Sequence, residues 1–243
     1  MLDLIGHAAG MAAIAVNLVA MTTVLSLSFR QKLVLGGAVG AWLGLASGLA
    51  AAGALSFSPE RPLPLIGVLV ALPLLAAALA WRFLPRIRAA LMAVPMPLLI
   101  GLNTARVLGV LFLFLAAAGR LSGPFPYFAG IGDIITGVGA LPLALLVARD
   151  AQKHRRRIAA WNAFGALDLL VAVGLGITSA EGSPLQLIHA GAGSFAMQYL
   201  PYALVPTVLV PFYLITHGIV AAQLRAGSAA DRAASPHLAG ALR

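Results

Sequence analysis

The chain has 243 residues, of which 61% are apolar and only 9% are charged, and its mean hydropathy is +0.98. Because a soluble domain carries roughly 25% charged residues, this composition excludes a water-soluble globular protein and predicts an all-α integral membrane protein. The absence of cysteine excludes disulfides, thiolate metal sites and iron–sulfur clusters. The net charge of +9 does not indicate a nucleic-acid partner, because the basic residues lie in short connections between apolar segments.

Apolar runs bounded by charge or proline predict seven membrane-spanning helices, since a transmembrane helix needs about 20 apolar residues. The spans form one domain, residues 1–225, and are predicted at 5–28, 33–57, 63–84, 91–118, 126–148, 158–178 and 198–223. The remaining residues, 226–243, mix Ala, Ser, Gly, Asp and Pro without periodicity, which predicts a disordered tail.

Span two carries a small residue at every fourth position, at Gly36, Gly40, Gly44 and Gly48. In lipid, such a stripe lets two helices approach closely, and close packing is a main source of association there. The stripe therefore has two interpretations: a face for a homo-oligomer or a membrane-protein partner, or packing against a neighbouring helix of the same chain.

Three charged side chains lie inside spans four, five and six: Arg106, Asp133 and Asp168. Each costs about 2.5 to 3.5 kcal/mol at a helix centre, so each must find a compensating partner. Measured along the spans, Arg106 and Asp168 lie near mid-membrane, and Asp133 lies within reach of the guanidinium. We expect the three side chains to meet.

Small residues accompany both carboxylates on their helix faces, which favours an inward orientation. Gly130 and Gly137 share a face with Asp133, and Gly165 shares one with Asp168. The two Gly-x-x-Asp segments lie on antiparallel spans, as an inverted pair of half-sites would, although chance similarity between two glycine-rich helices is a strong alternative.

Two carboxylates beside one guanidinium leave a formal charge of −1 if all are ionised. This surplus predicts either an aspartate that holds a proton or a cationic or amine-bearing ligand near the three residues. The alternative is a structural pair of Arg106 and Asp168, with Asp133 hydrated from outside. Polar groups that could complete the network are Asn103, Asn17 and Asn162.

The basic residues alternate between the two sides of the predicted bundle. Most of the 16 Lys and Arg follow spans one, three, five and seven, which predicts an outside N-terminus and a cytoplasmic C-terminus. The run Lys153–Arg157 has no interleaved aromatic residues, so we expect it to contact anionic lipid rather than nucleic acid. Arg far outnumbers Lys, a bias typical of GC-rich bacterial genomes, and this places the protein in a bacterial inner membrane.

Span seven contains three prolines, Pro201, Pro206 and Pro211, and each removes a helical hydrogen bond. The span should therefore be kinked or broken, and the freed carbonyls need partners from neighbouring helices, water or a ligand. Broken spans occur at transporter binding sites, but proline is also ordinary in membrane helices.

The sequence predicts no cofactor, no metal site and no catalytic residues. The five histidines offer no pair at matching depth for haem, no metal-ligand spacing occurs, and span seven has no lysine for a retinal Schiff base.

Two segments carry a resemblance to known proteins. From Arg106 to Ala140 the chain contains Arg-Val-Leu-Gly, Gly-Arg-Leu-Ser-Gly-Pro-Phe and Ala-Gly-Ile-Gly-Asp-Ile-Ile-Thr-Gly, and residues 204–217 read Leu-Val-Pro-Thr-Val-Leu-Val-Pro-Phe-Tyr-Leu-Ile-Thr-His. Both segments resemble a pattern in uncharacterised bacterial polytopic inner-membrane proteins, over residues 100–223. The resemblance implies no activity, but it implies that Arg106 and Asp133 belong to one recurring unit.

Three functional hypotheses follow from the sequence. The leading one is binding or transport of a small solute, ion or proton at the central Arg/Asp site. The second is a structural or assembly subunit of a membrane complex, in which the buried charges only fix helix packing. The third is an intramembrane enzyme or redox protein, for which no acid–base pair or cofactor ligand set is visible.

Overall fold

The computed structural model describes residues 1–57 and 65–240 of the chain. The first helices are α1 (Leu2–Val24), α2 (Phe29–Ala51), α3 (Leu65–Phe83) and the short α4 (Pro85–Met92). The next membrane segment has three parts: α5 (Met96–Leu102), a 3₁₀ segment (Asn103–Gly109) and α6 (Val110–Ala117). Then come α7 (Phe125–Arg149), α8 (Arg155–Thr178), a short 3₁₀ turn (Phe195–Gln198), a π-helical turn (Val205–Leu209) and α9 (Val210–Gly240). No strand occurs in these ranges.

Seven helical segments of the described chain are long and apolar enough to cross a membrane. They are Leu2–Val24, Phe29–Ala51, Leu65–Phe83, Met96–Ala117, Phe125–Arg149, Arg155–Thr178 and Val205–Ser228. This number agrees with the seven spans predicted from the sequence, and it is compatible with a multi-pass membrane protein. The first two residues of predicted span three, 63 and 64, lie outside the described residues.

Local sequence explains where two of the spans differ from their predicted bounds. Span two begins at Phe29 because Ser28 and Gln31 form a capping box, in which each side chain bonds the other's backbone N–H. It ends at Ala51 rather than at 57 because the chain turns there, with Gly53 at a φ of +65°. Span seven begins as regular helix only at Val210, after the π-helical turn that contains Pro206.

Helix α9 extends into the stretch for which the sequence predicts a disordered tail. The structure continues α9 from Val210 to Gly240, so residues 226–240 are helical. This stretch is rich in alanine, the residue with the highest helix propensity, and it extends a helix that has already formed. Residues 241–243 of the predicted tail lie outside the described chain.

Helix α7 is a main packing partner of the helices that follow and precede it. It packs against α5, the 3₁₀ segment, α6 and α8, while α9 contacts α3, α5 and α8. The main core contains Leu99 and Ile100 of α5, Ala140 of α7 and Val220 of α9. The bundle therefore brings four membrane segments, those of predicted spans four to seven, around one centre.

Candidate functional site

The site begins with Arg106, which occupies the middle of the 3₁₀ segment Asn103–Gly109. Runs of 3₁₀ helix longer than about four residues are uncommon, and inside a longer helix they mark functional or strained positions. The Arg106 side chain is 1% exposed, so the guanidinium is inside the bundle.

Glycines allow the 3₁₀ segment to lie directly on α7. A Cβ added to Gly137 would come within 2.6 Å of the backbone nitrogen of Val107, and one added to Gly109 would lie 2.9 Å from the carbonyl oxygen of Gly130. No other residue type fits such backbone contacts without displacement. Gly130 and Gly137, the two α7 glycines for which the sequence predicts a packing role, thus lie against the backbone of the 3₁₀ segment.

The guanidinium of Arg106 forms ion pairs with both intramembrane carboxylates. Nε donates to Oδ1 of Asp133 at 2.6 Å, and Nη2 donates to Oδ2 of Asp168 at 2.5 Å. The two aspartates come from different helices, Asp133 from α7 and Asp168 from α8. The structure therefore brings together the three charged residues that the sequence singled out.

His217, for which the sequence indicates no role in the site, also contacts the guanidinium. Nη1 of Arg106 donates to the carbonyl oxygen of Gly165 at 3.1 Å and lies 3.1 Å from Nε2 of His217. Arginine has only donors, so Nε2 must accept and the imidazole is neutral with its proton on Nδ1. His217 Nδ1 then donates this proton to Oδ1 of Asn162, and the two atoms are 2.9 Å apart. Arg106 thus directs four of its five N–H groups to named acceptors.

Gly165 belongs to the site through its lack of a side chain. An added Cβ would lie 2.7 Å from Cε1 of His217 and 2.9 Å from the Thr136 methyl group. The glycine therefore leaves the space in which the imidazole sits beside Arg106, while its own carbonyl binds the guanidinium.

Tyr213 of α9 contacts the guanidinium of Arg106, and Asn17 of α1 bonds to Tyr213. The guanidinium carbon of Arg106 lies 5.8 Å from the centre of the Tyr213 ring, within the range of a cation–π contact. The Tyr213 hydroxyl accepts a hydrogen bond from Nδ2 of Asn17 at 3.0 Å. Asn17 of α1 therefore reaches the cluster only through Tyr213.

The third predicted asparagine does not join the cluster. Nδ2 of Asn103 donates to the carbonyl oxygen of Leu99 in its own helix at 3.0 Å. The Leu99 carbonyl therefore takes the amide donor that the sequence assigned to the network around Arg106.

The formal charge of the cluster is −1 when both aspartates are ionised, because the neutral His217 contributes nothing. Each carboxylate uses one oxygen for Arg106, and the other oxygen makes no hydrogen bond with the parts of the chain that the structure describes. The side chains of Asp133 and Asp168 are 15% and 9% exposed. The negative charge is therefore nearly buried and only partly compensated.

The two carboxylates border different spaces. Asp133 lines two internal cavities of about 50 Å³ and about 70 Å³. Asp168 lines a groove of about 350 Å³ on the outer face of α7 and α8. Arg106 lies between them, so the cluster separates the interior cavities from the groove.

The prolines of span seven lie next to this site, and the structure shows where one freed carbonyl finds its partner. Pro211 has no N–H for the carbonyl of Thr207, four residues earlier. Nε1 of Trp42, on α2, donates to that carbonyl oxygen at 2.9 Å. Pro201 and Pro206 line one internal cavity each, and Pro206 lies within the π-helical turn.

The glycine stripe of span two lies away from the site. Gly36, Gly40, Gly44 and Gly48 are exposed, and an added Cβ at any of them would meet nothing within 4 Å. Helix α2 packs inward through Trp42, Ala46 and Ala50 instead. The oligomer face predicted on this stripe stays a prediction, as does the anionic-lipid contact at Lys153–Arg157.

Among the described residues, no three His, Asp or Glu side chains are grouped as a metal site requires. The cluster offers two carboxylates and a histidine, but Arg106 already occupies the space between them. Its donor set suits a proton or a monovalent cation at a free carboxylate oxygen.

Residues 63–225 match the model of a family described as Domain of unknown function (DUF8737). The match covers more than half of the chain, and the protein therefore belongs to this family. The matched range includes Arg106, Asp133, Asp168 and His217, whereas α1 and α2 precede it. No curated protein matches the chain, and no solved structure matches it.

Proposed function

We propose that the protein is a multi-pass bacterial inner-membrane protein that binds a proton or a small monovalent cation at the cluster of Arg106, Asp133 and Asp168. Its N-terminus lies outside and its C-terminus lies in the cytoplasm, as the distribution of basic residues predicts. The observation that carries the proposal is that two nearly buried carboxylates share one guanidinium.

The energetic argument follows from the surplus charge. An unpaired carboxylate in a low-dielectric interior is so costly that it takes up a proton or recruits a cation. His217 cannot neutralise it, because its Nε2 accepts from Arg106. The net charge of the site therefore returns to zero only when one further positive charge arrives.

The dimensions of the cavities favour a proton or a small ion over a larger solute. The cavities of about 50 Å³ and about 70 Å³ beside Asp133 each have room for a few waters, since one water needs about 10–15 Å³ of such space.

Both cavities lead from Asp133 towards the same end of the bundle. One is bordered by Gly6 and His7 in the first turns of α1, and the other by Ser194 and Gln198 before the π-helical turn. The predicted topology makes this the outer side, so we expect Asp133 to exchange protons or ions with the outside.

Infrared difference spectroscopy of the purified protein tests the proposal, because a protonated carboxyl group absorbs at a clearly higher frequency than a carboxylate. We expect the wild type to show a protonated carboxyl band, or a carboxylate band that shifts on addition of Na⁺ or K⁺. Asp133→Asn and Asp168→Asn should each remove that signal. The matched control is Asp3→Asn, because Asp3 also pairs with an arginine, Arg120 at 2.6 Å, but at an exposed position.

The result that would overturn the proposal is a wild-type spectrum with neither a protonated carboxyl band nor a cation-dependent shift. The second candidate function would then account for the cluster. In that role Arg106 acts only as a structural link, which its bonds to α7, α8 and α9 favour. The protein would then serve as a structural or assembly subunit, and crosslinking should recover a stable partner polypeptide.

A further inference from the structure

A groove runs between α7 and α8 on the surface that faces away from the bundle. Its volume is about 350 Å³, within the size range of small-molecule sites. Its walls are apolar side chains that are also exposed: Phe128, Ile131, Ile135, Phe164, Leu167 and Val171. In a membrane, this surface contacts the hydrocarbon core of the bilayer.

The one charged group in the groove is Asp168. At a rise of 1.5 Å per residue, Asp168 lies about 20 Å from the start of α8 and about 15 Å from its end. Since the hydrocarbon core is about 30 Å thick, the carboxylate lies near the middle of the membrane. A carboxylate that borders lipid at this depth needs a specific partner.

Gly132 leaves the space that the Asp168 carboxylate occupies at the bottom of the groove. A Cβ added to Gly132 would collide with Oδ1 of Asp168. Oδ2 of the same carboxylate turns inward to Nη2 of Arg106 at 2.5 Å. Oδ1 accepts no hydrogen bond from the described part of the chain, although the Asp168 side chain is only 9% exposed. A nearly buried acceptor without a donor thus borders the groove.

We propose that the groove binds a lipophilic ammonium ion that enters from the bilayer core. The ammonium N–H donates to Oδ1 of Asp168, and the apolar part of the molecule lies along Phe128, Phe164 and Leu167. The inference rests on the proposed function, because the ammonium supplies the positive charge that the cluster lacks.

Charge and depth together select this class of ligand. A neutral apolar molecule leaves Oδ1 without a donor, and the headgroup of a bilayer phospholipid lies at the membrane surface rather than at the depth of Asp168. A hydrated metal ion has no polar ligands in the groove beyond this one carboxylate. An amine that carries an apolar body satisfies both the carboxylate and the aromatic walls.

Binding of the ammonium and of a proton at this carboxylate are mutually exclusive. When Asp168 holds the proton, arrival of the ammonium breaks the carboxyl O–H bond, the proton leaves to solvent, and the carboxylate keeps the electron pair. The charge of the site is the same before and after this exchange. From the protonated state, one proton is therefore released for each ammonium bound, and from the ionised state none is.

The experiment uses the full-length protein in nanodiscs of phosphatidylcholine, with empty nanodiscs subtracted. The probes are 4-phenylbutylamine, which is cationic at neutral pH, and the neutral analogue 4-phenylbutanol. Equilibrium dialysis should show one saturable amine site per protein. We expect affinity for the amine to fall at least tenfold in Asp168→Asn, and affinity for the alcohol not to depend on this substitution.

A second variant tests the groove without altering the charge. Val171→Trp places a large ring in the groove, whereas Leu170→Trp, one residue earlier, places it on an exposed surface outside the groove. Val171→Trp should weaken amine binding at least tenfold, and Leu170→Trp should bind as the wild type does. Both positions face lipid, so a larger apolar side chain is compatible with folding at either one.

Equal amine affinity in the wild type, Asp168→Asn and Val171→Trp would overturn the inference, as would a wild-type affinity for the alcohol equal to that for the amine. Infrared spectra separate this failure from failure of the proposed function. If the carboxyl signal at the cluster persists while the amine neither binds there nor displaces a proton, only the groove inference falls. If that signal is itself missing, the proposed function falls too.

Discussion

Two glycines that look alike in the sequence have opposite surroundings in the structure, and replacing each with alanine should have opposite effects on stability. Gly137 and Gly44 both belong to small-residue patterns in apolar helices. At Gly137 an added methyl group would lie 2.6 Å from the backbone nitrogen of Val107 and 3.0 Å from the carbonyl carbon of Arg106. At Gly44 it would meet nothing within 4 Å.

The magnitude follows from these distances. Ordinary contacts of a Cβ lie at 3.4–4 Å, so the 3₁₀ segment must move away from α7 by several tenths of an ångström or more. Because the obstructing atoms are backbone, no side chain can rotate to relieve the contact, and overpacking of this kind costs about 1–3 kcal/mol. Gly44→Ala instead gains up to about 1 kcal/mol of helix propensity. The two variants should differ by about 1–4 kcal/mol.

Reversible unfolding in mixed micelles, followed by circular dichroism and tryptophan fluorescence, measures this difference. Gly137→Ala should unfold at lower denaturant than the wild type, and Gly44→Ala should unfold at the same or higher denaturant. A stable Gly137→Ala would refute the packing argument. A destabilised Gly44→Ala, with a loss that depends on protein concentration, would show that the stripe of α2 is packed against a second copy.

Two further substitutions test the contacts around the site with the same unfolding assay. Arg106→Leu leaves two buried carboxylates without their cation and should cost about 3–5 kcal/mol; adding Asp168→Asn to it should recover part of the loss, whereas no recovery would mean that the charges do not interact. Trp42→Phe keeps the aromatic packing but removes the donor to the Thr207 carbonyl, and it should cost about 1–2 kcal/mol. An unchanged stability would mean that water or another group satisfies that carbonyl.

The charged residues of the site could be predicted because an unpaired charge in an apolar membrane span carries a large free-energy penalty. An arginine and two aspartates in apolar spans have few ways to avoid a large penalty other than pairing. The sequence could not rank Asp133 against Asp168 as the main partner, and the structure gives Arg106 both, at 2.6 Å and 2.5 Å.

The contact of His217 with Arg106 could not be predicted, because the sequence does not indicate which face of α9 points inward. Helices that are apolar all around have no polar side to indicate their orientation in lipid, so periodicity assigns no neighbours to a lone histidine. The one available signal was its spacing: Tyr213 and His217 are four residues apart and so share a face. In the structure both contact the guanidinium of Arg106.

The neighbours of the glycines and the prolines could not be predicted from the sequence either. Sequence spacing treated Gly44 and Gly137 alike, because a small residue permits close approach without requiring it. The missing N–H of Pro211 predicted a carbonyl in need of a donor, but the donor, Trp42, is 165 residues from Thr207 in the chain. Such a partner depends on which helices are neighbours, and that information is not local.

The position of Arg106 between two differently exposed carboxylates gives the site two separate approaches. Asp133 faces cavities that lead to one end of the bundle, and Asp168 faces a groove open to the bilayer. A proton can arrive through the first space and a lipophilic cation through the second, yet both neutralise the same single charge. Because the guanidinium bonds to both carboxylates at once, the charge state of one alters the electrostatic energy of the other. The proposed binding of an ammonium from the membrane and the proposed protonation from the aqueous side are therefore thermodynamically linked, and each should weaken the other by the same factor.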